Sequence, residues 1–248
     1  MRDKMTGAGM ITLAIETATM QGGVAITGAD GSILAELGMS VRTTHSERLL
    51  PSIKYLLGLT GLDIGEIELL AISAGPGSFT GLRVGLGIVK GIAYAFPEKK
   101  VAAVPTLEAF ASRLPFSPAP VCPLLDARKG ELYGGIFIWK EDGFERMVPE
   151  SVLPPENWVR LMSGVCASGH DKIILMGEGA RIYRDKFTCG LKRRAVFAPP
   201  DFMSPSAASV AMLGARMAGE GRFADPAQLV PLYIRKSEAE LKWQSKNS

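Results

Sequence analysis

Two acidic residues occupy matching places in this sequence. Glu16 ends the apolar run that begins at Ile11, and Asp126 ends the run that begins at Val121. Each is followed by a small polar turn and a second apolar run, in ITLAIETATMQGGVAI and in CPLLDARKGELYGGIF. Acids so placed can serve a ligand that carries metal or phosphate. They can also fold their own turns, because a short carboxylate accepts nearby backbone N–H groups. Glu16 and Asp126 are therefore candidate cofactor-binding residues, with turn formation as the simpler role.

Metal chemistry has little to draw on. The two histidines, His45 and His170, are too far apart in sequence to sit together on one helix. Cys122, Cys166 and Cys189 lack metal-site spacing and are odd in number, as reduced thiols are. His45 stands at a helix start and His170 between Gly169 and Asp171, as a loop residue would. No catalytic residue and no metal ligand is expected.

A third candidate is SAGPGSFTGLRVGLGIVKGIAYAF, residues 73–96, where a glycine-rich turn enters an apolar helix. Such turns often hold phosphate. A P-loop, however, ends in Gly-Lys-Ser/Thr, and Phe79-Thr80-Gly81-Leu82 carries no lysine. A dinucleotide fingerprint starting at Gly75 and Gly77 needs glycine where Thr80 stands and an acid where Lys99 or Lys100 stands. The glycines are read as serving turn geometry and close packing.

Regular elements must position these residues. Strands are expected at Met10–Ile15, Gly22–Thr27, Ser32–Gly38, Leu69–Ala74, Val121–Leu125, Glu131–Trp139 and Lys172–Met176. Helices are expected after a Thr44–Glu47 capping box, over Leu82–Phe96 and over Ser206–Gly219. Pro51 predicts a later start or a kink in the first helix. The hairpin pattern around Glu16 and Asp126 is a weak internal repeat, which predicts two related halves. Pro115, Pro118 and Pro120 mark the boundary, and prolines 149, 154, 155, 199, 200 and 205 are expected to break up the second half.

The 248 residues, 47% hydrophobic, allow one large or two small domains. A net charge of +3 does not demand nucleic acid, and the one dense basic run, Lys192-Arg193-Arg194, suits a solvated loop. Residues 1–9 read as an extension with no signal peptide, and Met10 would serve as a start. Leu82–Phe96 is too short to span a bilayer and carries Arg83 and Lys90. A soluble, cytoplasmic protein without membrane contact is expected.

The segments from Ile11 to Thr19, HSERLLP (His45–Pro51), SAGPGSFTGLRVGLG (Ser73–Gly87), DARKGELY (Asp126–Tyr133) and PLYIRKSEAE (Pro231–Glu240) occur in one order. Together they resemble the TsaB family, also called YeaZ, over nearly the whole chain. The resemblance implies an α/β fold of two actin-like (ASKHA, ribonuclease H-like) domains, the second reduced. The expected division is an extension over 1–9, domain one over 10–108, domain two over 109–235 and a tail over 236–248. It also implies a non-catalytic partner for a TsaD-like subunit, working with a TsaE-like ATPase. That complex transfers threonylcarbamoyl to the adenosine beside the anticodon of tRNAs reading codons that begin with A. The tRNA is then reached through the complex. No cofactor is implied for the isolated chain, with ATP or ADP confined to the complex. The two alternatives are a stand-alone actin-like small-molecule kinase using Glu16 and Asp126, and a metallopeptidase. The missing nucleotide loop and short second half oppose the first, and the two histidines oppose the second.

The helix after the glycine turn has an apolar arc about twice as wide as one core contact needs. Only Arg83, Lys90 and Tyr94 make a polar side. Gly87, Gly91 and Ala95 stand four apart, a stripe of small residues that admits another helix. One apolar side is expected to meet the sheet, and the other a partner or the preceding helix. The expected partner interface is Leu49, Leu50, Ile53 and Leu57 on the first helix, with Leu82, Val84, Gly87, Ile88, Gly91 and Ala95 on the second. A homodimer through the same helices is the alternative arrangement for the chain alone.

Overall fold

A computed structural model describes residues 9–40, 45–141 and 143–234, with the side chains of His45 and Ser46 left out. The Thr44–Glu47 capping box, the first eight residues and the expected tail lie outside the described residues.

Strands β1 (Thr12–Glu16), β2 (Gly22–Thr27) and β3 (Ile33–Met39) form an antiparallel meander. Helix α1 (His45–Thr60) follows, then β4 (Leu69–Gly75), α2 (Phe79–Ala95) and β5 (Lys100–Pro105). β4 lies parallel to β1 and β5 parallel to β4, giving the order β3-β2-β1-β4-β5. β1, β2 and β4 are buried at every residue. They read as unbroken apolar runs because the sheet is covered on both faces.

The two faces differ in side-chain size. Leu13, Ile15, Val24, Ile26, Leu70 and Ile72 pack with Leu49, Ile53 and Leu56 of α1 and Leu86 and Val89 of α2. On the other face small residues, Ala14, Ala71 and Ala102, meet the last helix, α7 (Ala207–Gly219), through Val210, Ala211 and Leu213. The approach is close: a Cβ on Gly214 would stand 2.7 Å from that of Ala71.

After α3 (Thr106–Ala111) the plan recurs. β6 (Val121–Arg128), β7 (Glu131–Lys140) and β8 (Gly143–Leu153) form a second antiparallel meander. Then come α4 (Pro155–Ala167), β9 (Ile173–Met176), α5 (Glu178–Ile182), α6 (Arg184–Leu191) and β10 (Ala195–Phe197). β9 lies parallel to β6 and β10 parallel to β9, so the order β8-β7-β6-β9-β10 repeats the first sheet element for element. This is the actin-like, ribonuclease H-like plan used twice. In the second copy the two parallel strands shrink to four and three residues where the first has seven and six, while its meander strands lengthen to eight, ten and eleven against five, six and seven.

Several expectations change. The first helix begins by His45 and carries Pro51 on its exposed side, so proline does not delay its start. Pro149 lies within β8, an edge strand, where a missing N–H costs no ladder bond. Pro154 and Pro155 start α4 rather than break structure, because the first helical N–H groups need no partner within the helix. α3 occupies part of the expected boundary. α7 follows the second sheet in sequence yet packs on the first, so a split at 108/109 does not separate the elements as they pack.

Candidate functional site

Glu16 ends β1 and is 1% exposed. Its Oε1 accepts the N–H of Ala18 at 2.5 Å, and its Oε2 has no hydrogen-bond partner among the described residues. Burial raises its pKa to about 7, with the Ala18 N–H and the Ser73 hydroxyl offsetting part of that rise. Thr17, Ala18 and Thr19, the turn it supports, are buried as well.

The glycine turn covers this acid turn. The N–H of Ser78 donates to the Ala18 carbonyl at 2.6 Å. A Cβ on Gly77 would stand 2.5 Å from both the Cβ and the carbonyl oxygen of Ala18. Gly75, at φ +119°, takes a conformation that favours glycine, and its N–H donates to Thr106 Oγ1. Ser78 caps α2 by accepting the Gly81 N–H at 3.2 Å. The turn's surface is thus spent on Ala18. At the position where a dinucleotide site needs an acid, Lys99 is buried and donates to the carbonyls of Ile67 and Gly65.

Asp126 forms its turn as a short carboxylate does. Oδ1 accepts the N–H of Arg128 at 2.9 Å, and Oδ2 pairs with the Arg128 guanidinium at 3.2 Å. Arg128, Lys129 and Gly130 all have positive φ. Glu178, at the start of α5, is close to this turn, and burial raises its pKa. Glu16 and Asp126 share no bonding partner. Neither lines the polar pocket of about 280 Å³ bounded by Gln21, Glu36, Arg113, Asp201 and Ser206. Among the described residues no three His, Cys, Asp or Glu side chains gather as metal ligands do. His170 lies in the loop after α4, and the side chain of His45 lies outside the described residues.

The expected interface residues separate into two groups. Leu49, Ile53 and Leu82 are 5% exposed or less and belong to the chain's own interior, which corrects their assignment to a partner surface. Leu49 and Ile53 are buried because that side of α1 packs on the sheet, and Leu82 lies against the glycine turn, 3.3 Å from a Cβ built on Gly75. Leu57, Val84 and Ile88 are half-buried against the same cluster. Leu50, Gly87, Gly91 and Ala95 are exposed. A Cβ on Gly87 or Gly91 would meet nothing within 4 Å. Tyr55, Leu59 and Tyr94, at 58%, 63% and 89% exposure, lie on the outer sides of the same two helices. Exposed apolar residues on α1 and an open glycine face on α2 therefore remain among the described residues, and exposed apolar surface is a common mark of binding.

Arg83 and Lys90 are not a free polar edge. They bond to residues 224–234, an irregular segment after α7 whose last four residues begin the motif PLYIRKSEAE. The available signal was the apolar run Leu229–Ile234 beyond the last helix.

Among the described residues no helix is long and apolar enough to cross a membrane. Residues 39–243 match the family model described as TsaD: tRNA N6-adenosine threonylcarbamoyltransferase. The chain is 26% identical over 234 residues to the tRNA threonylcarbamoyladenosine biosynthesis protein TsaB of Bacillus subtilis, covering 94% of this chain and 98% of that one. Its identity to the Escherichia coli protein of the same name is 30% over 233 residues, covering 93% and 96%. YeaZ from Pseudomonas aeruginosa superposes with a TM-score of 0.75 at 27% identity, covering 90% and 99%. An ethanolamine utilization protein, EutJ from Carboxydothermus hydrogenoformans, shares the fold alone, with a TM-score of 0.53 at 12% identity over 86% and 92%. By sequence along its length and by fold, the chain belongs to the TsaB (YeaZ) family, on the domain plan that the TsaD family model describes.

Proposed function

We propose that this chain is a non-catalytic scaffold that binds a TsaD-like subunit through the outer faces of α1 and α2. Family membership gives it a role in tRNA threonylcarbamoyladenosine biosynthesis. In the proposed role it supports threonylcarbamoyl transfer to the adenosine beside the anticodon, in the cytoplasm. A TsaE-like ATPase joins the complex, ATP or ADP is bound only there, and tRNA is met through the complex. The observation that carries this reading is the open surface around Gly87 and Gly91, which the described residues leave uncovered. Glu16 supports the non-catalytic part, since a carboxylate sealed beneath the Gly75–Ser78 turn cannot reach a ligand without that turn lifting. In the absence of the partner, the same surface suits a homodimer.

The test is reconstitution. The chain should co-purify with the TsaD-like protein of the same cell, and tRNA modification should require both. Equal modification by the TsaD-like and TsaE-like proteins without this chain would overturn the proposal.

A further inference from the structure

Helix α2 is held on three sides. Leu82, Leu86 and Val89 are buried in the first lobe, and Val84, Ile88 and Ile92 pack at the edge of the cluster shared with α1. The remaining flank is held by residues 224–234, which have no regular secondary structure. They are tied to α2 and to the strands before and after it. The Ala224 N–H donates to the Val101 carbonyl of β5 at 2.8 Å. Lys90 Nζ donates to the Ala227 carbonyl at 3.3 Å, and Leu229 is buried in the core. The Leu232 N–H donates to the Ala74 carbonyl at 2.7 Å, beside the glycine turn. At the N-terminal end the Tyr233 ring stacks on Phe79 with centroids 5.4 Å apart. Its hydroxyl accepts from Arg83 Nε at 3.0 Å, and the Arg83 guanidinium lies 3.8 Å from the Phe79 ring centre.

Fixing irregular chain costs backbone entropy, and here it is offset by bonds to β4 and β5 and by contacts with Phe79, Arg83 and Lys90 at two levels of α2. Both charged residues on α2, Arg83 and Lys90, bond to the segment. We propose that residues 224–234 are a strap that sets the position of α2 against α1, with Tyr233 as its positioning residue. The consequence for binding rests on the reading of α1 and α2 as the partner surface. That surface has its binding shape only while the strap is closed.

The test uses the full chain with Tyr233→Ala, Tyr233→Phe and Lys90→Met, and Gly91→Leu as a separate probe of the surface. Tyr233→Ala removes a ring contact and a hydrogen bond together, so amide exchange over the N-terminal half of α2 should speed by about tenfold while α4 is unchanged. Affinity for the TsaD-like partner should fall by a similar factor. Tyr233→Phe keeps the stack and should restore most of both. Should Tyr233→Ala loosen the whole fold, Lys90→Met, a surface change at the other end of the strap, decides by the same exchange measurement. Unchanged exchange in α2 with both variants would overturn the strap. Loss of binding with Gly91→Leu but none with Tyr233→Ala would overturn its role in binding while the partner reading stands. Full binding by Gly91→Leu would overturn the partner reading, and the exchange result alone would still decide whether the strap holds α2.

Discussion

Ser78 and Ala18 lie sixty residues apart in sequence, and the N–H of one donates to the carbonyl of the other at 2.6 Å. This bond seats the glycine turn on the turn that follows β1 and closes Glu16 in. The glycines before α2 serve that contact, and those within α2 divide between packing inward and facing outward.

Gly77→Ala and Gly85→Ala should both destabilise the isolated chain. The new methyl would stand 2.5 Å from Ala18 at the first site, and 2.5 Å from Thr17 Oγ1 and 2.9 Å from Ile72 Cδ1 at the second. Overpacking of this kind costs about 1–3 kcal/mol. Urea denaturation measures it, and wild-type stability in both variants would mean that the turn is not seated as described.

Gly87→Ala should do the reverse, although it lies only two residues beyond Gly85. Nothing stands within 4 Å of its added Cβ, and alanine in a helix interior is worth about 1 kcal/mol over glycine. The melting temperature should rise, and a fall would place another element over this face in the isolated chain.

Glu16 predicts a stability that falls as pH rises. Below pH 4.5 its carboxyl is protonated in folded and unfolded chains alike. Between 4.5 and about 7 the unfolded chain releases the proton while the folded chain keeps it, so unfolding becomes easier with rising pH. Above about 7 the penalty is constant, on the order of 3 kcal/mol. Glu16→Gln removes the titration but leaves a buried amide short of partners, which costs about 1–3 kcal/mol at any pH. Denaturation at several pH values should show the variant gaining on wild type across that window and running parallel above it. Parallel curves throughout would mean that Glu16 is solvated.

Local chemistry made much of the first lobe legible. Gly22–Thr27 is bracketed by turn residues and emerges as β2 with the expected ends, and the paired hairpins at Glu16 and Asp126 foreshadow two sheets of one topology. Prolines misled where their position mattered more than their identity, at Pro149 on an edge strand and at Pro154–Pro155 on a helix start. No local signal says which sheet an apolar helix will cover, so the return of α7 to the first sheet could not be read. At the site, the Gly87–Gly91 stripe was legible from helical spacing. Leu49, Ile53 and Leu82 were assigned outward because an apolar arc does not reveal how much of itself the same chain will cover.

With Glu16 sealed beneath the Gly75–Ser78 turn and Asp126 bonded to its own turn, neither carboxylate is presented to a metal–phosphate group. The isolated chain should bind ATP no better than about millimolar, near −4 kcal/mol. Calorimetry giving a micromolar dissociation constant would revive the kinase alternative.

Gly91→Leu is the most direct probe of the α1–α2 surface. The site is exposed, an added Cβ meets nothing within 4 Å, and Gly91 stands mid-helix, far from the seated turn at Gly77. Leucine is a strong helix former, so the isolated variant should be as stable as wild type or more stable, by about 1 kcal/mol at most. Against a closely packed partner helix the same side chain would overpack the contact, at about 1–3 kcal/mol by analogy with cores. That weakens binding about tenfold or more. Melting of the variant alone and titration with the TsaD-like protein separate the possibilities. A lower melting temperature would put Gly91 inside the chain's own fold, against the open space around it. Unchanged melting with unchanged affinity would remove this face from the interface. Intact folding with weakened binding is the expected outcome, since among the described residues nothing stands within 4 Å of a Cβ on Gly91 and a docked partner helix would fill that space.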